Sequence, residues 1–94
     1  VSEARLEHDG KGRIRLSGPL DFDTVPALYA ALPAAGGAPI EVDLSGVTRA
    51  DTAGMGLLVE LLRLGGERGA RFENIPDQLK AIIRVNSLEA AFGA

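Results

Sequence analysis

The densest group of chemically capable residues is Asp51-Thr52-Ala53-Gly54-Met55. A carboxylate and a hydroxyl stand side by side, then small residues lead into an apolar, helix-period run. At a helix start the Thr52 hydroxyl has three available roles. It can cap the helix by accepting a backbone N–H, worth about 1 kcal/mol. It can carry a phosphate, which would gain from the helix dipole but sit beside Asp51. It can lie at an interface, because Ala53, Gly54 and Gly56 leave little bulk around free N–H groups. Asp51 is expected to cap or fix the loop. Asp21 and Asp23 come after the second predicted strand and belong near the same end of the sheet. Three carboxylates there could hold Mg²⁺, although turn and cap roles need no ion. Tyr29, the only tyrosine, lies one residue off an apolar helical stripe. It either edges the core or anchors a partner. His8 precedes a turn and is expected to be exposed.

Other chemistries are poorly supplied. The 94 residues contain no cysteine and one histidine, which excludes disulfides, thiol catalysis and a His-rich metal site. Ten basic residues against thirteen acidic ones give a net charge of −3, which argues against nucleic acid and polybasic membrane contact. No apolar run approaches the ~18 residues that span a bilayer, and no leader pattern opens the chain. The cytoplasm is the expected compartment. Phosphate-loop, dinucleotide and nucleophile-elbow motifs are missing. Asp51-Thr52 is similar to the Asp-Thr-Gly of aspartic proteases, but Ala53 stands third and the surroundings are helical. Thr52 has no His or Lys base near it in sequence. The chain is expected not to be an enzyme and to need no cofactor or metal.

The elements that position these residues can be read from periodicity. A chain of this size with 46% apolar residues makes one small domain, residues 1–94. Ala4 and Leu6, then Ile14 and Leu16, alternate with charged residues across the turn signal Asp9-Gly10-Lys11-Gly12, predicting a β-hairpin. Gly18-Pro19-Leu20-Asp21-Phe22-Asp23 is expected to break the second strand. Asp23 or Thr24 then caps a helix with Val25, Leu28 and Leu32 inward, running to about Ala35 before Gly36-Gly37 and Pro39. Ile40, Val42 and Leu44 predict a third strand, and Ser45 to Asp51 a loop. A strongly apolar helix runs from Thr52 to about Arg68, with Gly69 as its C-terminal cap. Glu60, Arg63 and Glu67 form its narrow polar stripe, so the helix is wedged between neighbours or offers apolar surface to a partner. Ala70 to Glu73 is a short strand. Pro76 introduces a helix with Leu79, Ile82 and Ile83 inward, and Ser87 is expected to cap a last turn holding Leu88 and Phe92. The order is β-β-α-β-α-β-α-α. The clean alternation of the strands predicts helices mainly on one face of the sheet.

Three blocks carry a family resemblance. Asp51-Thr52-Ala53-Gly54 resembles the signature of STAS domains, found in anti-sigma-factor antagonists and sulfate-transporter tails. Gly18, Leu20 and Asp21 resemble that family's Gly-x-Leu-Asp turn, and Val42 to Val47 its strand-three block. The resemblance implies an α/β STAS (SpoIIAA-like) fold, a small mixed sheet with the helices on one side. The Leu-rich run from Gly56 to Arg63, Phe72 to Leu79 and Arg84 to Glu89 resemble the MlaB-type subgroup. That implies a cytoplasmic accessory subunit, peripheral to the inner membrane. It would bind the ATPase of a bacterial ABC transporter that traffics phospholipid between membranes, alongside permease and lipid-binding subunits, with no nucleic acid and no insertion into the bilayer.

The partner-binding residues so expected are Thr52, Asp51, Ala53, Gly54, Met55 and Tyr29, with Thr52 the candidate phosphoacceptor. The alternatives are an anti-sigma-factor antagonist switched at Thr52, and a STAS module binding a small nucleotide or lipid. Phosphorylated antagonists usually carry Ser at the Thr52 position, so the match does not imply a phosphate there.

Overall fold

The computed structural model describes residues 3–9, 11–32, 40–66 and 69–92. The elements are β1 (Arg5–His8), β2 (Arg13–Leu20), α1 (Val25–Ala31), β3 (Ile40–Ala50), α2 (Thr52–Gly65), β4 (Ala70–Glu73), α3 (Asp77–Val85) and α4 (Glu89–Phe92). The predicted order holds. The four strands form one sheet in the order β1-β2-β3-β4. β1 and β2 are the antiparallel hairpin, while β3 and β4 join parallel. Asp9 builds the hairpin turn by accepting the N–H groups of Lys11 and Arg13 at 2.7 and 3.2 Å. Parallel neighbours need helical crossovers, and α1 and α2 supply them.

Period-two alternation sorts the sheet into two faces. Ile14, Leu16, Val42 and Leu44 are buried under Leu57, Leu58 and Leu61 of α2 and Leu79 and Ile83 of α3. The partners on the other side are charged. This cluster is the energetic centre of a small domain, where removing one buried leucine side chain costs about 2–5 kcal/mol. α2 packs on α1, α3, β3 and β4. It is wedged, as one of the two expectations had it, yet Val59 and Leu64 still reach solvent.

Several boundaries differ from the sequence reading. β2 does not break at Gly18 but continues to Leu20, and Ser45 to Ala50 is strand rather than loop. These segments pair with each other, Gly18 with Val47, Pro19 with Arg49 and Leu20 with Ala50. Register shifts after Arg15 and after Gly18 destroy the alternation that would have revealed them. Gly18 has φ +81°, and a Cβ there would fall 2.2 Å from the Glu3 carbonyl oxygen. Only glycine lets the chain before β1 lie so close.

α2 ends at Gly65, not Arg68, and its cap is Gly66 at φ +56°. Gly69 also takes positive φ, and its N–H donates to the Gly65 and Gly66 carbonyls. Ser87 does not cap α4. It has φ +57°, its N–H donates to the Arg84 carbonyl, and the Leu88 N–H donates to Ile83. It is the left-handed residue that closes α3. The C-terminal end expected for α1 at Ala35, Gly36-Gly37 and Pro39 lies outside the described residues, as does Glu67.

Candidate functional site

β2 and β3 end side by side, and a carboxylate fixes the backbone just beyond each end. Asp21 is buried although it is charged. Its Oδ1 accepts the N–H groups of Asp23 and Thr24 at 2.9 and 3.0 Å, and its Oδ2 accepts from the Arg49 guanidinium at 2.8 Å. The Thr24 hydroxyl donates to the Pro19 carbonyl at 2.7 Å and accepts the Asp21 N–H at 3.0 Å. Thr24 is the N-cap position of α1, but its side chain does not cap, so Asp21 serves that turn instead. Burial acts to raise the Asp21 pKa, and the two N–H donors and Arg49 outweigh it, so the carboxyl lies below its ordinary value of 3.8. The next residue, Phe22, projects outward, 73% exposed.

The second end is held by Asp51. Its N–H donates to the Leu20 carbonyl at 3.1 Å, and its Oδ1 accepts the Ala53 N–H at 2.8 Å. Asp51 is the N-cap of α2, one of the roles expected of it. Thr52 is consequently the first helical residue and not the cap, and its side chain is exposed.

The small residues behind Thr52 have different jobs. Gly54 is buried, and a Cβ on it would sit 3.0 Å from the Leu20 Cβ and 3.3 Å from the Ala50 Cβ. It faces the sheet and offers no surface to another chain, contrary to its expected place at an interface. Its contribution is to let α2 approach the ends of β2 and β3. Ala53 and Gly56 instead line a groove of about 270 Å³ between α1 and α2, together with Phe22, Val25, Pro26 and Tyr29. A Cβ on Gly56 would touch the Tyr29 hydroxyl at 3.4 Å. Tyr29 is 40% exposed, so it is a wall of the groove rather than a core residue. Met55 is half-buried against the rim of the core. On the opposite side of α2, Thr52 joins Ala81, Ile82, Val85 and Asn86 around a second groove of about 230 Å³.

The structure thus brings Ala53 and Tyr29 together in one groove and places Thr52 at the other, with Asp51 capping the helix between them. Sequence reasoning missed Phe22, Pro26 and Val85. Phe22 left one signal, an aromatic inside a turn motif where no periodic core position calls for it. The chemistry of the surface is that of contact. Among the described residues no side-chain base hydrogen-bonds Thr52, and no three His, Asp or Glu groups converge to hold a metal. Asp21 is committed to its own turn and Arg49, and Asp51 to its helix. His8 is exposed at the hairpin, on another part of the surface with Glu7, Asp9, Arg13 and Arg15. Among the described residues no helix is long and apolar enough to cross a membrane.

A small sheet covered on one face by helices, with a capped Asp-Thr step opening the second one, defines a STAS-type interaction module. A family model described as "Mlab, STAS domain" matches residues 4–92, and the chain belongs to the STAS domain family. STAS domains are generally regulatory or scaffolding rather than catalytic. No curated protein sequence matches the chain significantly. Among solved structures, an anti-sigma factor antagonist from Mycobacterium paratuberculosis is 27% identical with TM-score 0.77, over 98% of this chain and 83% of that one. A chain of the Acinetobacter MlaFEDB complex, in its ATP-bound Vtrans2 conformation, is 26% identical with TM-score 0.67, over 85% and 90%. The unphosphorylated anti-sigma factor antagonist SpoIIAA is similar in fold, with TM-score 0.63 at 19% identity over 86% and 81%.

Proposed function

We propose that this chain is a non-catalytic accessory subunit that binds the ATPase of a bacterial ABC transporter for intermembrane phospholipid trafficking. It would act on the cytoplasmic side, peripheral to the inner membrane, in a complex with permease and lipid-binding subunits. Its role there is to support assembly and activity of the transporter, and so the lipid asymmetry of the outer membrane. The observation that carries this reading is the apolar groove walled by Phe22 and Tyr29 over Ala53 and Gly56, with Thr52 exposed at the first turn of the same helix. Exposed aromatics around a small-residue floor are what a protein partner's side chains fill. The family description and the similarity to a chain of the MlaFEDB complex support the transporter as the setting.

One observation favours a second reading. The similarity to the mycobacterial anti-sigma factor antagonist is as high in identity and covers more of this chain. In that reading Thr52 is the phosphoacceptor of a switch, and its exposed hydroxyl is open to a kinase. Affinity purification from the native host separates the two. Recovery of an ABC ATPase with its permease supports the transporter reading. Recovery of a kinase-type anti-sigma factor instead overturns it.

A further inference from the structure

β3 outruns one of its neighbours. Its pairing with β4 ends at Asp43 and Glu73, whereas its pairing with β2 continues to Ala50. Successive N–H groups of a strand point to opposite sides. That of Asp51 points to β2 and donates to the Leu20 carbonyl at 3.1 Å. That of Ala50 points the other way, where β4 has already ended. Gln78 of α3 takes the place of the missing strand, its Oε1 accepting the Ala50 N–H at 2.9 Å. Gln78 also begins a stripe of α3. Ala81, Ile82 and Val85 follow it at i+3, i+4 and i+7, and with Thr52 they line the second groove. One side chain therefore ties the stripe of α3 that borders Thr52 to the backbone two residues before Thr52.

We propose that Gln78 is a positioning residue for the partner surface at the start of α2, acting through the Ala50 N–H. Three hydrogen bonds fix the step from β3 into α2. The Leu20 carbonyl holds the Asp51 N–H, and the Asp51 carboxylate holds the Ala53 N–H. Among the described residues the Gln78 bond alone reaches that step from α3. Gln78 is exposed, so an Ala50 N–H freed there finds water and the net loss of stability is small. What is lost is the setting of the first turn of α2 against α3, a local opening that leaves the core closed. Thr52 and Ala53, one in each groove, follow within three residues of Ala50. The effect on ATPase binding rests on the proposed function, whereas the hold on Ala50 does not.

The test combines amide hydrogen exchange of the chain alone with titration of the purified ABC ATPase, both well below the melt of every variant. Gln78→Ala removes the acceptor, while Gln78→Glu keeps an acceptor oxygen at the same reach. Gln78→Ala is expected to speed exchange at the Ala50 amide about ten-fold more than at the core amide of Leu58, and to weaken ATPase binding about five-fold. Gln78→Glu is expected to stay near the wild type in both. Exchange at Ala50 that rises no more than at Leu58 overturns the proposal. So does faster exchange at Ala50 with unchanged ATPase affinity. Weak binding by Gln78→Glu with Ala50 still protected would show that the side chain meets the partner itself, and overturns a positioning role. A wild-type chain that binds no ATPase strikes down the proposed function instead, and the exchange comparison still decides for or against the hold of Gln78 on Ala50.

Discussion

The two broad faces of this slab are built on opposite rules. On the open side of the sheet, charges are laid out so that neighbours satisfy one another. Glu7 stands opposite Arg15, Arg15 opposite Asp43, Arg13 opposite Glu41 and Glu41 opposite Arg71. Arg13 reaches Glu41 at 3.4 Å and Glu73 at 3.8 Å. Such a face is at ease in water, and its exposed pairs each contribute only about 0–1 kcal/mol. Around the start of α2 the layout is reversed. Phe22, Tyr29, Val59 and Val85 are held in solvent, while the carboxylates just beyond the ends of β2 and β3, Asp21 and Asp51, are turned inward on backbone N–H groups and Arg49. Water is a poor solvent for that surface, which is therefore the one that gains by being covered.

Substitutions can break or sharpen this contrast. The largest effect is expected from the double variant Phe22→Ala/Tyr29→Ala. Removing two aromatic walls should cost about 2–4 kcal/mol of ATPase affinity, with the thermal melt unchanged. Arg15→Glu on the open sheet face should leave affinity at the wild-type level. Equal losses from both faces in a titration would abolish the distinction between them. Gly54→Val tests the inward residue. Overpacking against Leu20 and Ala50 should lower stability by roughly 1–3 kcal/mol in a denaturant melt, whereas a residue at the interface would lower affinity at unchanged stability. Ser87→Gly should raise stability by about 0.5–1 kcal/mol, because glycine adopts the left-handed conformation without a Cβ penalty.

Asp21→Asn should lower stability at neutral pH and flatten the acid limb. The folded carboxyl has a lowered pKa, so it stabilises the fold above the ordinary value of 3.8. That stability is lost as pH falls from there through the folded pKa. The asparagine variant should therefore lose stability less steeply below pH 3.8 than the wild type, read from melts over an acid series. An identical slope would mean that the carboxylate of Asp21 is not what orders the turn beneath Phe22.

Much of this arrangement was legible in the amino-acid order. Alternation at Ile14, Leu16, Val42 and Leu44 marked the sheet and its single covered face. Asp51-Thr52-Ala53-Gly54 marked the start of α2. What escaped did so for physical reasons. The pairing of Gly18 to Leu20 with Val47 to Ala50 runs through register shifts, and a shifted register has no period to read. Gly54 and Gly56 look alike in sequence, but helical position sends one to the sheet and the other to the groove. Ser87 has the composition of a cap, and only hydrogen bonds from its own N–H and that of Leu88 show that it ends one helix rather than starting another. Phe22 was hidden because its exposure depends on a turn tied by Asp21, Thr24 and Arg49, three residues separated in the chain.

Thr52 offers the most direct measurement. It is exposed on the covered-face side and holds nothing inside the fold, so Thr52→Glu should keep the wild-type melt. Set against a partner, the new carboxylate would be desolvated without a counter-charge, at a cost of about 2–5 kcal/mol. Titrating the purified ABC ATPase with wild-type and Thr52→Glu protein should give a complex for the first and none for the second. Complex formation by Thr52→Glu at wild-type affinity would contradict the assignment of this surface to the ATPase.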